Sequence, residues 1–189
     1  MIKKFVTLHN KAISLIEHNV DEIFLNVFRV QTVENNFYRQ TENTDWTEGF
    51  WTGELWLAYE SNKDDKLKEA ALCQVDNFLY RIEHHINTDH HDMGFLYSPS
   101  CVAAYKLTGS EVGKRAALLA VDNLMKRFHE KGQFFQAWGK IGDKDNYRLI
   151  IDCLMNMPLL FWASKVTGDK KVCRKSTGTY KNSDGKYRA

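Results

Sequence analysis

The feature that most constrains this chain is an internal repeat. Leu57-Ala58-Tyr59 returns as Ala103-Ala104-Tyr105, Ala70-Ala71-Leu72 as Ala116-Ala117-Leu118, and Val75-Asp76-Asn77 as Val121-Asp122-Asn123, always 46 residues later. A third start follows at Leu160-Phe161-Trp162-Ala163, where Lys165-Val166-Thr167-Gly168 echoes Lys106-Leu107-Thr108-Gly109. Each unit reads as a helix, a short polar turn with Gly or Asn, and a second helix. A period of this size marks stacked supersecondary units, none of which can bury its apolar face alone. Only two prolines, Pro99 and Pro158, break the pattern. The reading is an all-α protein, with helices over about 3–31, 47–61, 65–86, 98–108, 111–130 and 157–167.

Helical hairpins stack either as an open solenoid or as a closed toroid around a cavity. The inter-unit stretches decide between them. Residues 84–98 and 131–156 are long and gather His, Asp, Gly and Trp. Loops rich in such groups favour a toroid with a functional rim, because function concentrates on loops held by a rigid scaffold. A non-catalytic helical-repeat binding module is the alternative from another class.

Composition excludes several partners. A net charge of +2, spread along the chain, leaves no basic footprint for nucleic acid. No segment is long and apolar enough for a membrane span, and the Met-Ile-Lys-Lys start lacks the apolar run of a signal peptide. Cys73, Cys101, Cys153 and Cys173 form no CxxC pair and read as buried thiols in a reducing compartment, so the protein is expected in the cytoplasm. Aromatic residues make up 13%, with five Trp, which suits a thick helical core or rings that stack on sugars.

Two carboxylates stand out by context. Asp152 lies inside the apolar run Leu149 to Leu160. Burial disfavours a charged carboxylate and raises its pKa, as a general acid at neutral pH requires; the other reading is a cap for the following helix. Asp92 lies in His90-His91-Asp92-Met93-Gly94-Phe95, where a turn-forming role before Gly94 competes with a chemical one. The ligand types from His84 to Asp92 suit a metal, but their spacing matches no zinc signature. Asp45-Trp46-Thr47-Glu48-Gly49-Phe50-Trp51 and Gln136-Ala137-Trp138-Gly139 offer aromatics that serve either as core or as sugar platforms.

Taken together, Trp46-Thr47-Glu48-Gly49-Phe50-Trp51, His91-Asp92-Met93-Gly94-Phe95-Leu96, Gln136-Ala137-Trp138-Gly139 and Ile150-Ile151-Asp152-Cys153-Leu154-Met155-Asn156-Met157-Pro158 resemble, in order and spacing, the unsaturated glucuronyl hydrolases of glycoside hydrolase family 88. The resemblance covers about residues 1–171. It implies an (α/α)6 barrel, of which this chain holds only about the first half. It further implies release of a Δ4,5-unsaturated uronic acid from lyase-generated glycosaminoglycan disaccharides by hydration of a vinyl ether. Asp152 then resembles the general acid/base and Asp92 its partner, with Trp46, Phe50, His91 and Trp138 as stacking or polar substrate contacts. No metal or organic cofactor is implied. A related family acting on unsaturated rhamnogalacturonan fragments shares the fold and is the second reading.

The tail from Cys173 onward has no apolar period, so residues 172–189 are expected to be irregular, as in a truncated or frameshifted product. Six or seven helices cannot close a ring of twelve, so self-association through exposed half-barrel edges is expected.

Overall fold

The structure, a computed structural model, describes residues 2–21, 28–34 and 37–186. The main helices are α1 (Ile2–Asp21), α2 (Glu48–Asn62), α3 (Asp65–Glu83), α4 (Met93–Tyr97), α5 (Ala103–Thr108), α6 (Glu111–Met125), α7 (Met157–Thr167) and α8 (Lys170–Lys186). A π-helical turn, Ser98–Val102, joins α4 to α5, and 3-10 turns occupy Lys144–Asn146 and Ile151–Asn156. Two small antiparallel hairpins complete it: β1 (Phe28–Glu34) with β2 (Phe37–Thr41), and β3 (Phe128–His129) with β4 (Phe134–Phe135).

The repeat survives as matching turns and matching packing. Asp64 caps α3 by accepting from the Lys66 N–H, and Ser110 caps α6 by accepting from the Gly113 N–H. Each side-chain oxygen satisfies one of the donors that a helix start leaves open. The residue before each cap, Lys63 or Gly109, ends the preceding helix in the left-handed region. On the core side, Ala58 and Ala104 are buried, as are the Ala70-Ala71 and Ala116-Ala117 pairs and Val75 with Val121. Such small residues let α2, α3, α5 and α6 lie close together in one layered core.

The structure departs from the sequence reading in four places. The helix expected over 3–31 stops at Asp21, and Phe28–Glu34 forms a strand, following the β-branched character of Val30, Thr32 and Val33; residues 22–27 lie outside the described set. The helix expected from 98 begins five residues earlier, at Met93. The helix expected over 111–130 ends at Met125, where β3 and β4 take over.

The largest correction concerns the tail. Residues Lys170–Lys186 are helical, not irregular, and supply the second helix of the third unit. Gly168 ends α7 in the left-handed region, and Asp169 accepts from the Lys171 N–H, repeating the Gly109–Ser110 arrangement. Ser176, Thr177 and Thr179 then return their hydroxyls to carbonyls one turn back, at 2.8, 2.9 and 3.1 Å. This is how Ser176 and Thr179 are buried without an apolar stripe.

One buried cation ties the core to the loops beside it. Arg81 on α3 donates to Asn43 Oδ1 (2.8 Å) and to the carbonyls of Asp45 (2.7 Å), Ile86 (3.1 Å) and Asn87 (3.1 Å). Glu48, equally buried, lies 3.9 Å away. Replacing Arg81 with Met should therefore destabilise the chain by about 3–5 kcal/mol, the scale for removing one partner of a buried ionic group. That is a large share of an ordinary domain's ~5–15 kcal/mol. A melting transition within experimental error of the parent, followed by circular dichroism, would show that the loops do not need this anchor.

Candidate active site

Three polar side chains converge where the loop before α4 meets the 3-10 turn before α7. The loop is held by backbone bonds: His91 N–H donates to the Ala137 carbonyl at 2.8 Å, and His90 pairs with Trp138 as an isolated bridge. The imidazole of His90 reaches the Asn87 carbonyl through Nε2 (2.9 Å) and the Asp92 backbone N–H through Nδ1 (3.1 Å). These contacts aim Asp92 inward. Its Oδ1 lies 3.3 Å from His91 Nε2, and Asp152 Oδ1 lies 3.5 Å from the same nitrogen. Two acids distant in sequence thus meet across one histidine.

Neither acid is used as a helix cap. The N-cap of α7 is Asn156, and Asp92, though at the N-cap of α4, makes no side-chain capping bond. Asp152 presents an exposed edge while Oδ1 is buried with no hydrogen bond. Burial pushes its carboxyl above the ordinary range; His91 opposes the shift, and the negative charge of Asp92 adds to it. Burial moves the His91 imidazole the other way, below its usual value, in spite of both carboxylates. The two shifts run toward the neutral forms, the carboxyl upward and the imidazole downward. Nδ1 of His91 is buried with no acceptor, so the proton of that imidazole belongs on Nε2, facing the acids. Cys153, adjacent to Asp152, has its thiol pushed up to about 12 by burial, which makes it a poor nucleophile.

The ligand atoms of His91, Asp92 and Asp152 lie within 4.8 Å of one another, a reach that one cation could span. A metal-bound imidazole normally donates its second N–H to an acceptor, which Nδ1 of His91 lacks. The donor set suits proton transfer better than metal binding.

The expected aromatics are accessible. Trp46, Phe50 and Trp138 keep 38%, 42% and 41% of their surface exposed, so none belongs wholly to the core. Trp46 and Phe50 pack edge-on against Phe95 of α4, at 5.4 and 6.0 Å between ring centres, and Arg148 lies over Trp138 at 5.2 Å. His91 is 1% exposed, so of the two roles expected of these residues, stacking or polar contact, its ring suits the polar one, with Nε2 beside the acids. The sequence reading passed over Phe95, although it stands within the His-Asp-Met-Gly-Phe motif, and Arg127 and Gln136. The last two are buried and shape the loop of Trp138, Arg127 through the Gln136 and Gly139 carbonyls and Gln136 through the Trp138 carbonyl. No pattern in the sequence marks Arg127.

Hairpins of helices stacked with an acid pair at their loop ends define part of an (α/α)6 barrel of the glycosidase type. The profile of glycosyl hydrolase family 88 matches residues 16–187, and the chain belongs to that family. It is 51% identical over 161 residues to the unsaturated chondroitin disaccharide hydrolase of Streptococcus agalactiae, covering 85% of this chain and 40% of the relative. Among solved structures it superposes on the unsaturated glucuronyl hydrolase of Streptococcus agalactiae with a TM-score of 0.87 and 46% identity, over 92% of this chain and 45% of that one. A mutant of that enzyme complexed with dGlcA-GalNAc6S matches with a TM-score of 0.77 and 40% identity, over 90% and 40% of the two chains. The chain thus spans less than half the length of these relatives.

The raised carboxyl of Asp152 has a consequence for stability. A carboxyl whose folded-state pKa lies above its unfolded value stabilises the fold below the unfolded value, and that contribution is lost as pH rises through the folded one. Asp152→Asn is neutral throughout. Its melting temperature should exceed the parent's near neutral pH, and the two should converge below the ordinary carboxylate range. A variant less stable than the parent at neutral pH would mean that the charged form is the one the site favours.

Proposed function

We propose that the protein of which this chain forms at least a part removes a Δ4,5-unsaturated uronic acid from glycosaminoglycan disaccharides by hydrating the vinyl ether. The observation that carries the reading is the acid pair: Asp92 and Asp152 on one histidine, with the Asp152 carboxyl raised. Asp152 gives its proton to C4 of the uronate, and positive charge develops at C5 and the ring oxygen. Asp92, in the same cleft, lowers the energy of that charge. Water adds at C5 and returns a proton to the Asp152 carboxylate. The hemiketal then opens and releases the neighbouring sugar. The acids do not work at the anomeric carbon, as the carboxylate pair of ordinary glycosidases does.

Trp46, Phe50 and Trp138 are the sugar platforms, and His91 contributes the polar edge between the acids. The substrate class follows from relatives named for unsaturated chondroitin disaccharide and from the dGlcA-GalNAc6S complex. No helix among the described residues is long and apolar enough to cross a membrane, and the four cysteines are free thiols. Both features support a cytoplasmic setting.

The assay is the loss of ultraviolet absorbance of the double bond when an unsaturated chondroitin disaccharide is added. In the chain extended by the portion its relatives have and it lacks, Asp152→Asn should lower kcat by roughly 10²-fold or more, the usual scale for a general acid. Near-parental turnover in that variant would remove Asp152 from the mechanism.

The 189 residues alone should not turn over substrate. They should also self-associate, because Leu57, Phe161, Ile151 and Met155 stand exposed at 67%, 43%, 55% and 52%. Sedimentation showing a monomer at all concentrations, together with consumption of the disaccharide, would contradict both expectations.

A further inference from the structure

The two acid-bearing segments belong to different helical units, so something must fix the distance between them. Besides His91 at the carboxyl ends, one buried side chain links the two backbones by a hydrogen bond. Asn156 Oδ1 accepts the backbone N–H of Gly94 at 2.6 Å, between residues 62 apart in sequence. Asn156 is wholly buried. Gly94 follows Asp92 by two residues, and Asn156 ends the 3-10 turn that carries Asp152. The bond therefore joins the acids at their roots.

The contact face at Gly94 leaves no slack. A Cβ there would lie 2.4 Å from the Met155 carbonyl oxygen, 2.5 Å from Asn156 Cα and 2.7 Å from Asn156 Oδ1. Two of these atoms are backbone and cannot swing aside. The 3-10 turn has the poorer hydrogen-bond geometry of its class, so its placement depends on what it packs against.

The carboxamide at this place is only half used. Its Nδ2 is buried with no hydrogen-bond partner, a standing desolvation cost that an apolar residue of similar size would avoid. What an apolar residue could not do is hold the Gly94 N–H.

We propose that Asn156 is a positioning residue for the acid pair: its carboxamide, bonded to the Gly94 backbone, sets the separation of the Asp92 and Asp152 carboxyl groups across His91. The proposal rests on reading those acids as the reactive pair. Asn156 acts through Gly94 and touches no reacting atom.

The test uses the 189-residue chain itself, isotopically labelled for NMR and kept below the concentration at which it associates. In the parent, the Gly94 amide should exchange with solvent as slowly as the interiors of α3 and α6. The His91 imidazole signals should move as Asp152 titrates, with Asp92, His90, Cys153 and Arg127 as the other groups facing that space. Asn156→Leu removes the acceptor, and Gly94→Ala wedges the segments apart from the opposite side. Each should keep the helical circular dichroism yet abolish the His91 response and return Asp152 toward the ordinary carboxylate range. Asn156→Asp keeps an acceptor oxygen in nearly the same volume and should restore the response, whereas Asn156→Leu fills the space without one. Loss in Asn156→Leu with recovery in Asn156→Asp assigns the effect to the acceptor.

A Gly94 amide that exchanges at the rate of an exposed loop in the parent overturns the proposal without any variant. So does an unchanged His91 response in folded Asn156→Leu. Substrate is not needed, so these outcomes stand apart from the assay of hydration. An extended chain that fails to consume the double bond, while His91 of the 189-residue chain still senses Asp152, would count against the proposed function alone.

Discussion

Two helices approach only as closely as the atoms between them permit, and here that limit is set by hydrogen. At Gly49 on α2, a Cβ would fall 2.3 Å from the Phe95 carbonyl oxygen; at Gly113 on α6, 2.7 Å from that of Cys101. Glycines face backbone at both contacts, and alanines fill much of the rest of the seam. This closeness draws α4 inward between α2 and the turn before α7. With larger residues on the seam, α4 would ride outward, and Asp92 would leave the neighbourhood of Asp152. The chemistry of the site is thus a consequence of side chains that are absent.

Much of the scaffold was legible because it is periodic. The 46-residue offset marks Ala58 with Ala104 and Val75 with Val121, all of them buried, and the 157–167 helix stands where the pattern puts it. The α8 helix was hidden because, beside Val172, the side chains described as buried on it are Ser176 and Thr179, whose hydroxyls are satisfied by their own backbone and leave no hydrophobic rhythm. Only the Gly168-Asp169 stop-and-start pair announced it. Strand Phe28–Glu34 was masked by reading the helical pattern of α1 too far.

The site divides along a similar line. Asp92 and Asp152 draw notice as acids in unusual company, and the family motifs order them into roles. Their convergence on His91 is a fact of three dimensions that no local window contains. Arg81 and Arg127 were invisible for a simpler reason: Arg usually faces water, and nothing local distinguishes one that spends its donors on loop carbonyls. Buried cations that hold carbonyls give the loops beside the acids a fixed polar wall.

The π-helical turn at Ser98–Val102 carries a further consequence. An α-helix advances about 100° per residue, so the extra residue within that turn shifts the phase of everything beyond it. The stretch before it, Met93–Tyr97, turns Met93, Leu96 and Tyr97 inward as the site requires; the stretch after it turns Ala104 inward, in step with Ala58 of the previous hairpin. Pro99 needs no N–H there, and the Ser100 carbonyl is taken up by the indole N–H of Trp56 at 2.9 Å. One continuous helical run thereby obeys two incompatible registers, one belonging to the reaction and the other to the stacking of hairpins. Deleting a single residue there would regularise the helix and force a choice between them.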